Sequence, residues 1–340
     1  MNSTAVRANR RRLMLLAVLA LLCAAGYLLV NADPGNARLF AYSMKIRAPK
    51  LAAMTLTAVS IGGASIVFQT IINNTIVTPC LLGMNTLYTL IHTAVVFFLG
   101  SSSIVASNAN LAFGVDVILM GITATLLYGW IFRKTKHNVL YVLLVGTVLT
   151  SFFGSVQTTL TRVRDPNEYD ALLSSLVASF SNINSEILLF SALLLAGVAF
   201  ALRRELALLD VLTLGKEQAI NLGVDYDRCI RRLLLGVTLC IAVATAMVGP
   251  ISFLGLITAN LSRQLLRTYR HSQLVAGSAL FGMAVLVGGQ LIVEQVYSYA
   301  VPVSVFITVG GGVYFLYLLV ERDLSRVFSP RYITLYQKAK

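Results

Sequence analysis

Ten apolar runs, separated by short polar or basic segments, take up most of this 340-residue chain. They fall at about 13–30, 51–71, 81–99, 111–132, 139–160, 187–202, 233–248, 251–262, 274–296 and 303–320. A helix needs about 20 residues to cross the hydrocarbon region, and most of the runs approach that length. The run after Pro250 is short. It is expected to be a half-span or a tilted segment packed against protein, because lipid cannot satisfy a frayed backbone. Composition agrees: 57% of the residues are hydrophobic and only 12% charged. Soluble domains carry about 25% charged residues, so this chain cannot cover itself with a water-compatible surface. The expected fold is an all-α membrane protein, a single bundle of about ten transmembrane helices. Residues 1–340 form one domain, with spans from about 13 to 320.

The basic residues test that count. With the N-terminus inside, 21 of the 27 Lys and Arg residues fall on inside segments. The six outside are Arg38, Lys45, Arg47, Lys50, Arg162 and Arg164. A wrong number of spans would scramble this asymmetry, which is that of a bacterial inner-membrane protein with both termini in the cytoplasm. It also accounts for the net charge of +13. The cations punctuate apolar runs and form no continuous surface, so nucleic acid is not an expected partner. Arg7, Arg10, Arg11 and Arg12 precede the first run, as in a signal peptide. Its apolar stretch exceeds the usual length of about 7–15 residues, so the run is read as a retained first span.

No enzyme signature is present: no nucleophile elbow, HExxH, Walker A sequence or carboxylate pair at helical spacing. Cys23, Cys80, Cys229 and Cys240 form no CxxC pair, and His92, His137 and His271 are scattered, so neither disulfides nor a metal site are expected. Clusters of small residues (Gly62–Ser65, Gly277 to Gly282, Gly310–Gly312) suit close helix packing. Two acids fall within apolar runs. Asp116, near the start of its run, is expected where water reaches it. Glu294 has Gln290 one turn earlier, and the face they share is a candidate lining for a polar pathway.

The longest inside segment is 203–232. Within it, Lys216–Leu222 reads as a short helix, with Glu217 near its positive end and Gly223 placed to stop it. Asp225 and Asp227 stand where the next helix begins. So short a helix is marginal alone, and something must hold it.

This segment resembles that of the iron-chelate and cobalamin permease (FecCD-type) family of ABC importers. Leu214-Gly215-Lys216-Glu217, Ala219 and Leu222-Gly223-Val224 match its LGxExAxxLGV motif. Arg47-Ala48-Pro49-Lys50 resembles RxPR at the start of the second span. Gln69, Asn74, Pro79 and Leu82-Gly83 follow QxxxxNPLAxPxxLG. Residues Gly249–Leu256 are close to GPIxFVGL, with Arg263 as its closing arginine, and Pro302, Gly311 and Phe315 fit the last span.

The resemblance covers about residues 40–320 and implies a type II ABC importer permease architecture. In it, 203–232 is the cytoplasmic coupling segment, and Leu214, Gly215, Lys216, Glu217, Ala219, Leu222 and Gly223 meet the ATPase. Arg47 and Lys50 would dock a binding protein, and Pro49 is expected to hold the backbone extended there, turning both cations off the membrane. Gln69, Asn74, Gln290 and Glu294 are pathway candidates.

The implied function is a non-catalytic permease subunit for a ferric siderophore. It is fed by a periplasmic or lipoprotein binding protein and driven by separate ATPase subunits, which carry the ATP and magnesium. Several positions depart from the family pattern. Asn74-Thr75-Ile76 replaces Asn-Pro-Leu, Ala259-Asn260 replaces Pro-His, and Gly289, Val293 and Val313 replace an acid, an arginine and a proline. These departures suggest one half of a heterodimer with a second permease. Within the family, haem and cobalamin are alternative cargoes. Outside it stand an ion-coupled secondary transporter using Asp116 or Glu294, and a passive channel.

Overall fold

The computed structural model describes residues 3–30, 35–100, 103–104, 108–134, 139–163, 178–181 and 183–327. Thirteen α-helices and no strands occur among them. The long ones are α1 Ser3–Leu29, α2 Ala37–Ile72, α3 Met84–Leu99, α4 Ala109–Lys134, α5 Val139–Arg162 and α6 Ser185–Ala201. Three short helices follow, α7 Arg203–Ala207, α8 Leu209–Leu212 and α9 Lys216–Asn221. The series closes with α10 Tyr226–Val248, α11 Leu254–Leu266, α12 His271–Gln295 and α13 Val303–Val327. Six are long and apolar enough to cross a membrane: α1, α2, α4, α5, α10 and α12. Shorter apolar stretches lie in α3, α6 and α13, and α11 has 13 residues. Each of the ten apolar runs is thus one helix, and the run after Pro250 is the short one expected.

The bundle is built around α2, which packs against α12, α10 and α11. Glycines set how close these helices come. A Cβ on Gly62 would lie 2.8 Å from Ser278 Oγ and 3.1 Å from the Ser278 carbonyl oxygen. One on Gly282 would lie 3.1 Å from Ala58 Cβ. At the first site only glycine fits without displacing backbone, which is the close approach expected of small residues in a membrane bundle. Gly311 likewise meets Phe253, whereas Gly310 and Gly312 face open space.

Two expectations are corrected. α2 runs unbroken from Ala37 through Pro49, so Ala48 is helical and the backbone there is not extended. A proline inside a helix costs about 3 kcal/mol through its lost hydrogen bond and ring clash. Asn36 opposes that loss by capping the helix, its side chain accepting from the Arg38 and Leu39 amides. Burial of the helix from Ala53 onward holds the remainder. The second correction is Asp116. It is 2% exposed and accepts from or pairs with His92 Nδ1 at 2.7 Å, so it lies between helices, away from water. Burying a carboxylate without a partner would cost several kcal/mol, and His92 supplies one.

Contacts bring Arg12, Arg133, Arg232 and Arg263 to one end of the bundle, the basic end, whereas Arg47 and Lys50 lie at the other. Arg12 joins α1 to the last turn of α11 by donating to the Leu265 carbonyl at 2.8 Å. Most of the predicted outside loop 162–186, together with Lys136, Arg164 and everything after residue 327, lies outside the described residues.

Candidate functional site

At the basic end, α7–α9 form a compact knot with one face fixed and one face open. The fixed face begins with Glu205, buried, which accepts from Arg232 Nη1 at 2.6 Å. That hydrogen bond, opposed by burial, holds the Glu205 carboxyl below its ordinary range. Leu209, Leu212 and Ala219 are buried beneath the knot. Lys216 Nζ donates to both carboxylate oxygens of Asp227, at 2.9 and 3.1 Å, tying α9 to α10.

The turn chemistry of α9 follows from its glycines. Gly215 opens it at φ +99° and Gly223 follows it at φ +85°, in the region where side chains are strained. The Val224 amide donates to the Ala219 carbonyl at 3.0 Å, and the Gly223 amide to Ile220 at 2.9 Å. This pair of bonds satisfies the last carbonyls of α9 and turns the chain toward α10. The open face carries Leu214, Ile220 and Leu222, which are 52%, 51% and 62% exposed. Three half-exposed aliphatic side chains on so small an element form a surface suited to a protein groove.

A hydrogen-bonded chain links this knot to the bundle core. Asp210 Oδ1 on α8 accepts from the His271 backbone amide at 2.9 Å and lies 2.5 Å from His271 Nδ1. On the other side of the ring, His271 Nε2 lies 2.9 Å from Thr70 Oγ1 near the end of α2. Thr70 donates its own hydroxyl proton to the Ile66 carbonyl at 2.8 Å. These contacts join α8 to both α2 and α12. Nothing local in the sequence marks this link, since Asp210 and His271 lie 61 positions apart.

Of the four pathway candidates, two lie at each end of the bundle. Gln69, at the basic end, donates to the Thr75 carbonyl at 2.6 Å and accepts from Arg263 Nε at 3.2 Å. Asn74 closes the adjoining turn by accepting from the Ile76 amide at 2.8 Å. Two departures from the family pattern meet here, because Asn260 Nδ2 donates to the Thr75 carbonyl at 2.9 Å.

Gln290 and Glu294 stand at the opposite end. Glu294 Oε1 accepts from Tyr27 Oη at 2.9 Å and from Gln290 Nε2 at 3.1 Å. Tyr299 also hydrogen-bonds Glu294, and burial, then the Glu294 charge, pushes its hydroxyl up from the ordinary range. Arg47 donates to the Tyr27 carbonyl at 2.9 Å and more closely to that of Val30, so it caps the end of α1. Lys50 lies 5.7 Å from the Tyr299 ring centroid.

Residues 13–321 match the FecCD transport family. The chain is 39% identical to the petrobactin import system permease protein YclO of Bacillus subtilis (strain 168), over 93% of this chain and 99% of that one. It is 31% identical to the petrobactin import system permease protein FatC of Bacillus anthracis, over 91% and 88%. A solved structure described as an inward-facing conformation of a metal-chelate type ABC transporter superposes with a TM-score of 0.78. That match has 21% identity and covers 92% of this chain and 99% of that one. The chain belongs to the FecCD transport family, as a multi-pass membrane permease with the fold of an ABC importer subunit.

Proposed function

We propose that this chain is the permease subunit of an ATP-driven importer that carries a ferric siderophore inward across the bacterial inner membrane. The observation that carries the reading is the near-full-length similarity to two petrobactin import permeases. In this account the basic end faces the cytoplasm, with both termini, and 203–232 is the coupling segment. The exposed Leu214, Ile220 and Leu222 enter a groove on an ATPase subunit, which holds ATP and magnesium. Burying the remaining half of each side chain contributes about 1 kcal/mol apiece. A second permease subunit completes the pathway, and a periplasmic or lipoprotein binding protein delivers the chelate at the Lys50 end.

The chain's own residues suggest how ATP-driven motion travels. Closure of the ATPase pair displaces α9, which moves α8 through the connecting turn. Asp210 then draws on His271 and Thr70, shifting the ends of α12 and α2 together. An ion-coupled transporter is not favoured: Asp116 is engaged by His92, and Glu294 by Tyr27 and Gln290.

Cargo is tested in cells. Deleting the gene should abolish high-affinity uptake of radioactive iron supplied as ferric petrobactin, while cobalamin and haem uptake persist. Normal siderophore uptake with loss of cobalamin or haem uptake would reassign the cargo.

A further inference from the structure

A cavity of about 590 Å³ opens at the basic end between the last turns of α4 and the first turns of α10. Its lining is layered. Gly129 and Phe132 on α4 and Ile230 and Leu234 on α10 make an apolar floor. Arg133, Arg231, Lys216 and Asp227 make a charged rim. The two helices run in opposite senses, and on each the deepest lining residue is uncharged, Gly129 on α4 and Leu234 on α10, while Ile230 is level with Arg231. Gly129 lies one turn below Arg133, and Leu234 two turns below Asp227, at about 1.5 Å per residue.

The rim carries three cations against one acid. Asp227 is taken by Lys216. Arg133 and Arg231 are exposed and make no ion pair among the described residues. A Cβ on Gly129 would meet nothing within 4 Å, so the floor is open space. Trp130, 59% exposed, stands beside Gly129 and three residues before Arg133. Exposed tryptophan favours the headgroup level of a bilayer, which puts the rim at that depth.

We propose that this cavity binds the headgroup of an anionic phospholipid. Its phosphate sits between Arg133 and Arg231 and the first carbons of its chains lie over Phe132, Ile230 and Leu234. A phospholipid has the same layering, with charge at the mouth and hydrocarbon beneath. Basic pockets between helices on the cytoplasmic side recur as anionic-lipid sites. The site adjoins Lys216, so its occupancy supports the α9–α10 junction from the membrane side.

Trp130 is the chain's one tryptophan, so its fluorescence reports this face. The full chain is placed in phosphatidylcholine nanodiscs holding a small, equal fraction of brominated phosphatidylglycerol or brominated phosphatidylcholine. The anionic lipid should quench Trp130 in clear excess. Each cation is worth about fivefold in preference. The Arg133→Gln, Arg231→Gln double variant should therefore lower the preference about 25-fold. Arg133→Lys with Arg231→Lys should keep most of it. Equal quenching by the two lipids, or excess quenching unchanged in the glutamine variant, would overturn the proposal. So would loss of the excess on adding inorganic phosphate, which would indicate a soluble-anion site. A glutamine variant that keeps the excess but loses affinity for the ATPase subunit would assign the cations to protein docking instead.

Discussion

Gly62 and Gly223 are both glycines of necessity, for different physical reasons that variants can separate. At Gly62 the constraint is space, since a Cβ would press on Ser278 Oγ and on its backbone carbonyl. Gly62→Val should destabilise the bundle by about 1–3 kcal/mol, visible as a lower melting temperature in detergent. At Gly223 the space is open and the constraint is φ +85°. Gly223→Ala should cost about 1–2 kcal/mol in the local turn, lowering transport while leaving global melting near that of the parent. Equal effects of both variants on melting would contradict this division. Glu205 gives a pH test. Its carboxyl is held below the ordinary 4.5, chiefly by the hydrogen bond from Arg232. A carboxylate depressed in the folded state stabilises above its unfolded value, and that stabilisation is lost as pH falls through the folded value. Glu205→Gln should therefore melt earlier than the parent at neutral pH and converge with it only in acid, as pH falls through the depressed folded value. Parallel melting curves across that range would show that the pair contributes nothing.

Among elements, the link from α8 through His271 to α2 is the one whose role is most open to test. Hydrogen bonds to charged groups contribute about 1.5–3 kcal/mol. His271→Leu or Asp210→Asn should thus lower ATP-driven uptake about tenfold or more, with ATPase binding and membrane insertion retained. A parallel fall in ATPase binding would mean that the link merely folds the knot. Much of this end was legible in the sequence. The short helix, its glycine stop and the aspartate start of α10 all follow from local turn and cap chemistry, which acts over a few residues. The tie to His271 was not legible, because neither Asp210 nor His271 carries a periodic or spaced pattern that points to the other. The start of α2 was misread for a related reason. Pro49 and four nearby cations resemble a boundary, and only the Asn36 cap and the burial further along show the helix running through. Arg47 consequently caps α1 while Lys50 does not. Arg47→Gln should lower the melting temperature and Lys50→Gln should leave it unchanged, whatever either does to binding-protein affinity.

For the whole molecule, the ten apolar runs became ten helices because bilayer thickness and backbone hydrogen bonding leave a hydrophobic chain few alternatives. What such patterns cannot reveal is which faces meet. α5 exposes Leu140, Leu144, Val148 and Phe152, and α13 exposes Phe306, Val309, Val313 and Leu316. Faces of this kind meet lipid or the proposed second permease subunit, and the make-up of the assembly is tested separately. Native mass spectrometry of the active assembly should give one copy of this chain, one other permease and two ATPase subunits, and two copies of this chain would refute the heterodimer. The central claim, that ATP hydrolysis on a partner drives siderophore import through this chain, has a more direct test. The assembly is reconstituted in proteoliposomes with ATP on the ATPase side and ferric petrobactin with its binding protein on the other. Uptake should require ATP, should be unaffected by collapsing the proton gradient, and should fall to background when Gly215→Pro disrupts the entry to α9. Uptake that persists without ATP and follows the proton gradient would contradict the account.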